Sequence, residues 1–173
     1  MTHLGKVALV AGALALSGCG ANDRFGGAGM DDGAMTGADA AGMEPGSASD
    51  PTSPAYFEEA VGDRVFFAVD QSTLTDEARS VLDEQAEWLT TNSDFSATIE
   101  GHADEQGTRE YNIALGDRRA NAVRDYLVSR GVAQNRLRTV SFGKERPVAL
   151  CSDESCYSQN RRAVTVLALG AGV

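Results

Sequence analysis

The 173-residue sequence contains few histidines and few cysteines: the two histidines are His3 and His102, and there are three cysteines. Two imidazoles are a poor basis for a metal enzyme with several histidine ligands. No run of 18 apolar residues occurs, so no transmembrane helix is predicted. Neither a Gly-x-Ser-x-Gly nucleophile motif nor a Walker phosphate-binding loop is present. The net charge of −10 and the pI near 4.6 argue against attraction of the whole chain to nucleic acid or to an anionic membrane surface.

The N-terminus has the layout of an export signal. Lys6 precedes a run of Val, Ala, Leu and Gly over residues 7–16, and Ser17 and Gly18 then lead to Cys19. The sequence Leu-Ser-Gly-Cys at 16–19 resembles the processing box of bacterial lipoproteins, in which cleavage precedes the cysteine and the thiol receives diacylglycerol. We therefore predict a signal peptide over 1–18 and a lipid anchor on Cys19. The alternative is a signal cut elsewhere, with an ordinary cysteine at 19.

Residues 20–55 have the composition of a linker. They include eight glycines, six acids and one arginine, and Phe25 is their only aromatic residue. Such a segment cannot bury enough apolar surface to offset its chain entropy, so disorder is predicted. The expected organisation is a lipidated cysteine with a disordered tether over 19–55, followed by one folded domain over 56–173.

The folded part is predicted to be α+β. Hydrophobic periodicity places strands at 64–69, 96–102, 137–142 and 161–169, and helices at 75–91 and 109–129. Residues 70–73 are expected to form a turn and helix cap, and a polar loop containing Pro147 is expected before the last strand. Right-handed crossovers in this β-α-β-α-β-β order place both helices on one face of a mixed four-stranded sheet. The prediction is therefore a two-layer sandwich.

The second predicted helix contains a charge in an unexpected place. Arg119 falls in an otherwise mostly apolar stripe, which it shares with Asn112, Leu115, Val123 and Leu127. An unpaired buried charge is costly, so we expect Arg119 to meet an acid or a ligand. Asp104 lies in the loop leading to this helix. The two charges suit a zwitterion whose ammonium lies at Asp104 and whose carboxylate lies at Arg119. A plain Asp104–Arg119 salt bridge is the alternative that spacing alone allows.

Three separated motifs resemble the family of OmpA-like peptidoglycan-binding domains. The motifs are Glu100-Gly-His-Ala-Asp-Glu-Gln-Gly107, Tyr111-Asn-Ile-Ala-Leu-Gly-Asp-Arg-Arg-Ala120 and Asn160-Arg-Arg-Ala163. Gly116 stands where the family usually has serine, and the resemblance covers about 64–167. It implies the OmpA-like two-layer fold and non-covalent binding to the diaminopimelate of the peptidoglycan stem peptide. It implies neither catalysis nor a cofactor.

The same resemblance implies the roles of individual residues. Asp104 would accept the ligand's ammonium and Arg119 its carboxylate, while Asn112 and Arg161 would add contacts. The remaining residues of the implied site are Asp70, Ala103 and Leu115. The family's usual acid two residues before Asp70 is replaced by Ala68 here, so the chain departs from the family at that position.

The implied partners are peptidoglycan, the outer membrane and TolB. Gly20, where an aspartate would indicate inner-membrane retention, favours the outer membrane with the domain in the periplasm. TolB would meet a surface overlapping the wall site, in a system serving envelope integrity and cell division. The alternatives are a wall-binding lipoprotein outside the Tol system and a periplasmic hydrolase using His102 and Asp104. As the last residue of a strand, His102 is interpreted instead as a structural hydrogen-bonding residue.

Cys151 and Cys156 are an even pair in an exported domain. An oxidising compartment favours a disulfide between them, which would stiffen the loop before Arg161. Free thiols are one alternative. A metal site is the other, although it lacks supporting histidines.

Overall fold

A computed structural model describes residues 45–170 of the chain. The predicted signal peptide, Cys19 and residues 20–44 of the predicted tether lie outside the described residues. Within the described range, no helix is both long enough and apolar enough to cross a membrane.

The described residues form a four-stranded sheet with helices between the strands. The strands are β1 (Arg64–Phe66), β2 (Phe95–His102), β3 (Leu137–Gly143) and β4 (Arg162–Leu169). The α-helices are α1 (Pro54–Tyr56), α2 (Asp76–Thr91), α3 (Arg109–Ser129) and α4 (Glu154–Asn160). A π-helical turn, Phe57–Gly62, follows α1, and a 3-10 turn, Gln134–Arg136, precedes β3.

The sheet is mixed, with strand order β1-β4-β2-β3. β2 and β3 are parallel, whereas β4 is antiparallel to both β1 and β2. One hydrophobic core joins this sheet to α2 and α3; it includes Val65 and Ile99 of the strands, Leu82 and Leu89 of α2, and Val123 and Leu127 of α3. Both long helices therefore cover the same sheet face, and the predicted α+β two-layer sandwich is confirmed.

The two long helices begin and end close to the predicted positions. Thr75 caps α2 by accepting a hydrogen bond from the amide of Ala78, and Thr108 caps α3 in the same way through the amide of Tyr111. Beyond the end of α3, Gly131 adopts a φ of 102°, a conformation that glycine tolerates best. The cap at Thr108 fixes the loop 103–108 at the start of α3, next to the end of β2.

Two glycines allow α3 to lie close to the sheet. A Cβ atom added at Gly116 of α3 would lie 2.7 Å from the carbonyl oxygen of Gly101 in β2. A side chain at either position would push the helix off the strand. The close approach holds the first half of α3 against the end of β2.

The first predicted strand is too long, because β1 ends at Phe66 rather than at residue 69. The amide of Phe67 still donates to the carbonyl of Arg161, but the chain then turns, and Asp70 has a φ of 56°. The carbonyls of Ala68 and Gln71 accept hydrogen bonds from a side chain instead of from a neighbouring strand. The predicted cap at 70–73 is also wrong, because the capping residue is Thr75.

The predicted loop before the last strand contains helix α4. Asp153 caps α4 through the amide of Ser155, and Arg161 follows the helix instead of starting the strand, so β4 begins at Arg162. The predicted element order therefore lacks one helix. It also lacks the helical turns at 54–62, which begin two residues before the predicted start of the domain.

Candidate functional site

Arg119 of α3 is a fully buried guanidinium at the end of the sheet where β1 and β2 finish and β4 begins. Its Nε donates to the carbonyl of Gln71 at 2.8 Å, and its two terminal nitrogens donate to the carbonyls of His102 at 2.7 Å and Ala68 at 3.2 Å. Its guanidinium also lies 5.1 Å from the ring centroid of Phe67. Backbone oxygens therefore stabilise this charge, where the sequence predicted an acid or a ligand.

Arg119 keeps its positive charge in this setting. Burial lowers the pKa of its guanidinium to about 10, and the nearby carboxylate of Asp104 acts in the opposite direction. A guanidinium has five N–H donors, of which three make hydrogen bonds among the described residues. The remaining donors provide capacity for a carboxylate ligand.

Asp104 lies in the loop after β2 and is 8% exposed. One carboxylate oxygen accepts a hydrogen bond from the amide of Gln106 at 3.2 Å, and the other accepts one from Arg161, also at 3.2 Å. The plain Asp104–Arg119 salt bridge does not form in the described structure. The basic partner of Asp104 is therefore Arg161, while the charge of Asp104 also acts on the nearby Arg119.

Arg161 connects Asp104 to a second acid, Glu154. Its Nε donates to the carbonyl of Phe67 at 3.2 Å, and its two terminal nitrogens contact both carboxylate oxygens of Glu154. The hydrogen bonding that Arg161 donates to the Glu154 carboxylate is the main reason that the pKa of Arg161 is raised. Sequence reasoning missed Glu154; the available signal was an acid two helical turns before Arg161.

Asp70 and Tyr111 form a polar contact beside Arg119. The hydroxyl of Tyr111 donates to the Asp70 carboxylate, and this hydrogen bond raises the pKa of Tyr111. The negative charge of Asp70 favours the ionised form of Arg119. Asp70 was predicted from the family resemblance, whereas Tyr111 was quoted in a motif but given no role.

The other three predicted residues lie inside the molecule. Asn112 is 1% exposed, and its side-chain amide donates to the carbonyl of Gln106 at 2.8 Å, which holds the loop after β2. Ala103 and Leu115 are buried, and the amide of Ala103 donates to the carbonyl of Gly143. These residues support the walls of the site. Direct ligand contacts from them remain predictions.

His102 differs from its predicted role. Its ring is 1% exposed and stacks on Phe142, with ring centroids 5.6 Å apart, and neither ring nitrogen has a hydrogen-bond partner in the described structure. Only its backbone carbonyl takes part in the site, through Arg119. Burial, followed by the charges of Arg162 and Arg146, lowers the pKa of its imidazole to about 4. The interpretation of the ring as a hydrogen-bonding group is therefore wrong.

A disulfide joins Cys151 and Cys156, whose Cα atoms lie 5.6 Å apart. Their sulfur atoms lie close to the carboxylate of Asp153, a grouping that resembles a metal-binding set. Because both thiols are consumed in the disulfide, no thiolate ligand is available there. The loop closed by this bond contains Glu154.

The fold and the site together describe a small α+β domain with buried opposite charges at one end of its sheet. A family model described as the OmpA family matches residues 66–161. The chain belongs to the OmpA family, as the three motifs predicted.

Relatives extend the similarity beyond the folded domain. A protein of Rhizobium meliloti is 54% identical over 159 residues, which cover 92% of this chain and 84% of that protein. A protein of Brucella melitensis is 57% identical over 131 residues, covering 76% of this chain and 77% of the relative. Both are named peptidoglycan-associated lipoprotein. The lipoprotein box, the tether and the His-Ala-Asp-Glu loop together resemble that lipoprotein, Pal, and these relatives confirm the resemblance.

Solved structures agree with the fold. The peptidoglycan-associated lipoprotein of Burkholderia pseudomallei is 38% identical, with a TM-score of 0.64, and the match covers 69% of this chain and all of that one. The C-terminal domain of Helicobacter pylori MotB is 19% identical, with a TM-score of 0.58 over 63% of this chain and 86% of that one. The second similarity is one of fold alone.

Proposed function

We propose that this protein is an outer-membrane lipoprotein that binds peptidoglycan non-covalently and so ties the outer membrane to the cell wall. The observation that carries the proposal is the placement of Asp104 beside Arg119, two opposite charges with spare hydrogen-bonding capacity at one end of the sheet. The names of the relatives support it, since several are called peptidoglycan-associated lipoproteins.

The ligand group that fits these charges is an amino acid head group carrying both signs. The diaminopimelate of the stem peptide offers such a head group, with its ammonium directed to Asp104 and its carboxylate to Arg119. Arg119 is fully buried, so the carboxylate reaches it only if a neighbour moves. Tyr111 and Asp70 are exposed polar neighbours of Arg119, and opening their hydrogen bond would be one such movement.

Binding without catalysis is part of this proposal. The hydrolase alternative needs His102 as a general base, and a pKa of about 4 leaves that imidazole with little affinity for a proton at neutral pH. Its ring is also sealed from solvent. The assigned task is therefore mechanical, with no bond made or broken.

The finer assignments concern the anchor and the partner protein. Residues 1–18 would be removed, Cys19 would carry the acyl chains, and residues 19–55 would link the membrane to the periplasmic domain of residues 56–173. The similarity to peptidoglycan-associated lipoproteins over 92% of the chain supports membership of the Tol system, with TolB as a partner on a surface overlapping the wall site. A gene neighbourhood containing TolB would distinguish this assignment from a wall-binding lipoprotein outside the system.

Sedimentation with purified sacculi tests the wall-binding site. Asp104→Asn removes a charge, and Arg119→Lys changes the geometry of one, each at nearly constant side-chain size. Each substitution is expected to weaken co-sedimentation at least tenfold, because a buried charge-assisted hydrogen bond contributes about 1.5–3 kcal/mol. Glu87→Gln, an exposed change on α2, is the control and should sediment like the unmodified chain.

Two further measurements keep this test specific. Melting curves separate lost binding from lost folding. Soluble wall fragments are assayed in the supernatant, where their release, abolished by His102→Ala, would favour the hydrolase. Unchanged sedimentation of both site variants would refute the proposed site.

A further inference from the structure

Three ionised side chains form a continuous chain of ion pairs at the proposed ammonium site. Arg161 contacts a carboxylate oxygen of Asp104 at 3.2 Å and one of Glu154 at 3.3 Å, and its other terminal nitrogen also binds Glu154. The side chain of Arg161 is 5% exposed and that of Glu154 is 65% exposed. Asp104 is thus the inner acid, and Glu154 is the outer acid of the same arginine.

The charges of this chain decide how well Asp104 attracts a cation. With Arg161 alone, Asp104 would form a neutral pair, and Arg119 would add a positive charge nearby. A neutral pair beside a cation is a poor site for an ammonium group. Glu154 gives the chain of three a net charge of −1, which offsets the positive charge of Arg119 nearby, so the ammonium does not meet an excess of positive charge. The carboxylate of Glu154 remains ionised, because its hydrogen bond with Arg161 lowers its pKa.

Local structure fixes the position of Glu154 on both sides. It lies within the loop closed by the Cys151–Cys156 disulfide, and Asp153 caps the helix that it begins. At the other end of α4, the buried side chain of Asn160 accepts hydrogen bonds from the amides of Val148 and Ala149. These constraints hold an exposed carboxylate against a buried guanidinium, whereas most exposed glutamates lose rotamer entropy on pairing and gain little.

We propose that Glu154 is a positioning residue that offsets the charge of Arg161, leaves Asp104 able to bind the ligand's ammonium group, and is held in place by the disulfide. This inference rests on the proposed function, because it concerns the ammonium-binding half of the same site. It assigns a role to the seven-residue helix α4 and to the cysteine pair.

The test compares two stem peptides, one with the free amine on the distal carbon of diaminopimelate and one with that amine acetylated. The full chain, purified in detergent, is titrated with each peptide carrying a fluorophore, and anisotropy gives the affinity. Glu154→Gln is expected to weaken the free-amine peptide roughly three- to tenfold, from loss of one partly screened charge, and to leave the acetylated peptide unchanged. Glu154→Asp should retain part of the preference for the free amine, and Glu87→Gln should retain all of it.

The outcomes separate the inference from the proposed function. Equal weakening of both peptides by Glu154→Gln would mean that Glu154 only supports the structure, and no weakening would mean that it plays no part; either result overturns the inference. If the unmodified chain itself binds both peptides equally, the assignment of Asp104 as the ammonium acceptor fails as well.

Reduction of the disulfide tests the second half of the inference. Dithiothreitol should measurably lower the affinity of the unmodified chain for the free-amine peptide. The loss should not exceed the factor seen for Glu154→Gln. It should have little further effect on that variant, because both changes act through the same carboxylate. An equal loss in both proteins, or no loss in either, would show that the disulfide does not act through Glu154.

Discussion

Two buried side chains near the end of β2 differ in their hydrogen bonding. The guanidinium nitrogens of Arg119 are hydrogen-bonded, whereas in the described structure the ring nitrogens of His102 are not. Arg119 is charged and donates to three backbone carbonyls, so its burial is compensated by fixed acceptors. The ring of His102 has no hydrogen-bond partner among the described residues. A carboxylate oxygen of Glu100 lies 3.7 Å from its Nε2, and Arg162 and Arg146 add positive charges nearby. Backbone acceptors therefore compensate the charge of Arg119, whereas burial and the neighbouring arginines keep His102 neutral.

The neutral state of His102 predicts a pH dependence of stability. Burial lowers its pKa from an ordinary 6.5 to about 4 in the folded chain, so the unfolded chain binds the proton more tightly. The contribution is fully present above pH 6.5 and is lost as the pH falls from about 6.5 to about 4, amounting to on the order of 3 kcal/mol.

Urea unfolding of the unmodified chain and of His102→Phe at several pH values between 7.5 and 4 measures this contribution. The carboxylates titrate in both proteins, so the difference between the two curves isolates the histidine. The free energy of unfolding should fall more steeply with acid in the unmodified chain. Parallel curves would contradict the assigned pKa.

For single residues, the sequence predicted where a side chain lies better than it predicted which groups the side chain contacts. The helical spacing placed Arg119 in a buried stripe, and it is buried. Two of its three acceptors belong to residues 48 and 51 positions away in the chain, and all three are backbone oxygens that every residue carries. A sequence pattern contains no signal for such contacts. For the same reason the ion pair between Asp104 and Arg161 was not predicted.

Among the secondary-structure elements, the bounds of the long ones could be predicted from the sequence, and those of the short ones could not. Helices α2 and α3 span several turns, and their apolar periodicity gave their bounds almost to the residue. Helix α4 has seven residues and depends on the cap at Asp153, the disulfide and the contacts of Asn160. Strand β1 has three residues, and just after it the carbonyl of Ala68 accepts a hydrogen bond from Arg119. Both short elements are fixed by tertiary contacts, which local periodicity does not report.

The contact between α3 and β2 predicts that Gly116→Ala destabilises the domain. Alanine is the better helix former by about 1 kcal/mol, but its Cβ would lie 2.7 Å from the carbonyl oxygen of Gly101. Backbone atoms cannot yield as a side chain can, so overpacking should dominate and cost about 1–3 kcal/mol. Thermal unfolding of Gly116→Ala checks this, with Asp117→Ala at the neighbouring exposed position as the control. An increase in melting temperature for Gly116→Ala would show that the helix is free to move away from the strand.

For the whole molecule, the proposed function needs two attachments that can be separated by mutation. One is the charged site at the end of the sheet, and the other is the predicted lipid at Cys19. The described residues contain no membrane-spanning helix, and the chain carries a net charge of −10, which does not favour binding to an anionic bilayer. We propose that acyl chains on Cys19 supply the attachment to the membrane.

This division predicts opposite phenotypes for two single substitutions. Cys19→Ser should move the protein from the membrane fraction to the soluble fraction while it still sediments with sacculi, since several acyl chains together supply the membrane affinity that one chain cannot. Asp104→Asn should have the reverse effect, with membrane attachment retained and wall binding lost. Cell fractionation, sedimentation with sacculi and the mass of the mature chain measure the three properties. Cys151→Ser with Cys156→Ser is the control for removing cysteine elsewhere in the cell fractionation only, because the disulfide is proposed to act on the wall site. If Cys19→Ser protein stays in the membrane fraction after salt washing, and its mass shows that the signal peptide has been removed, then a second membrane attachment exists and the assignment of the anchor to Cys19 is wrong.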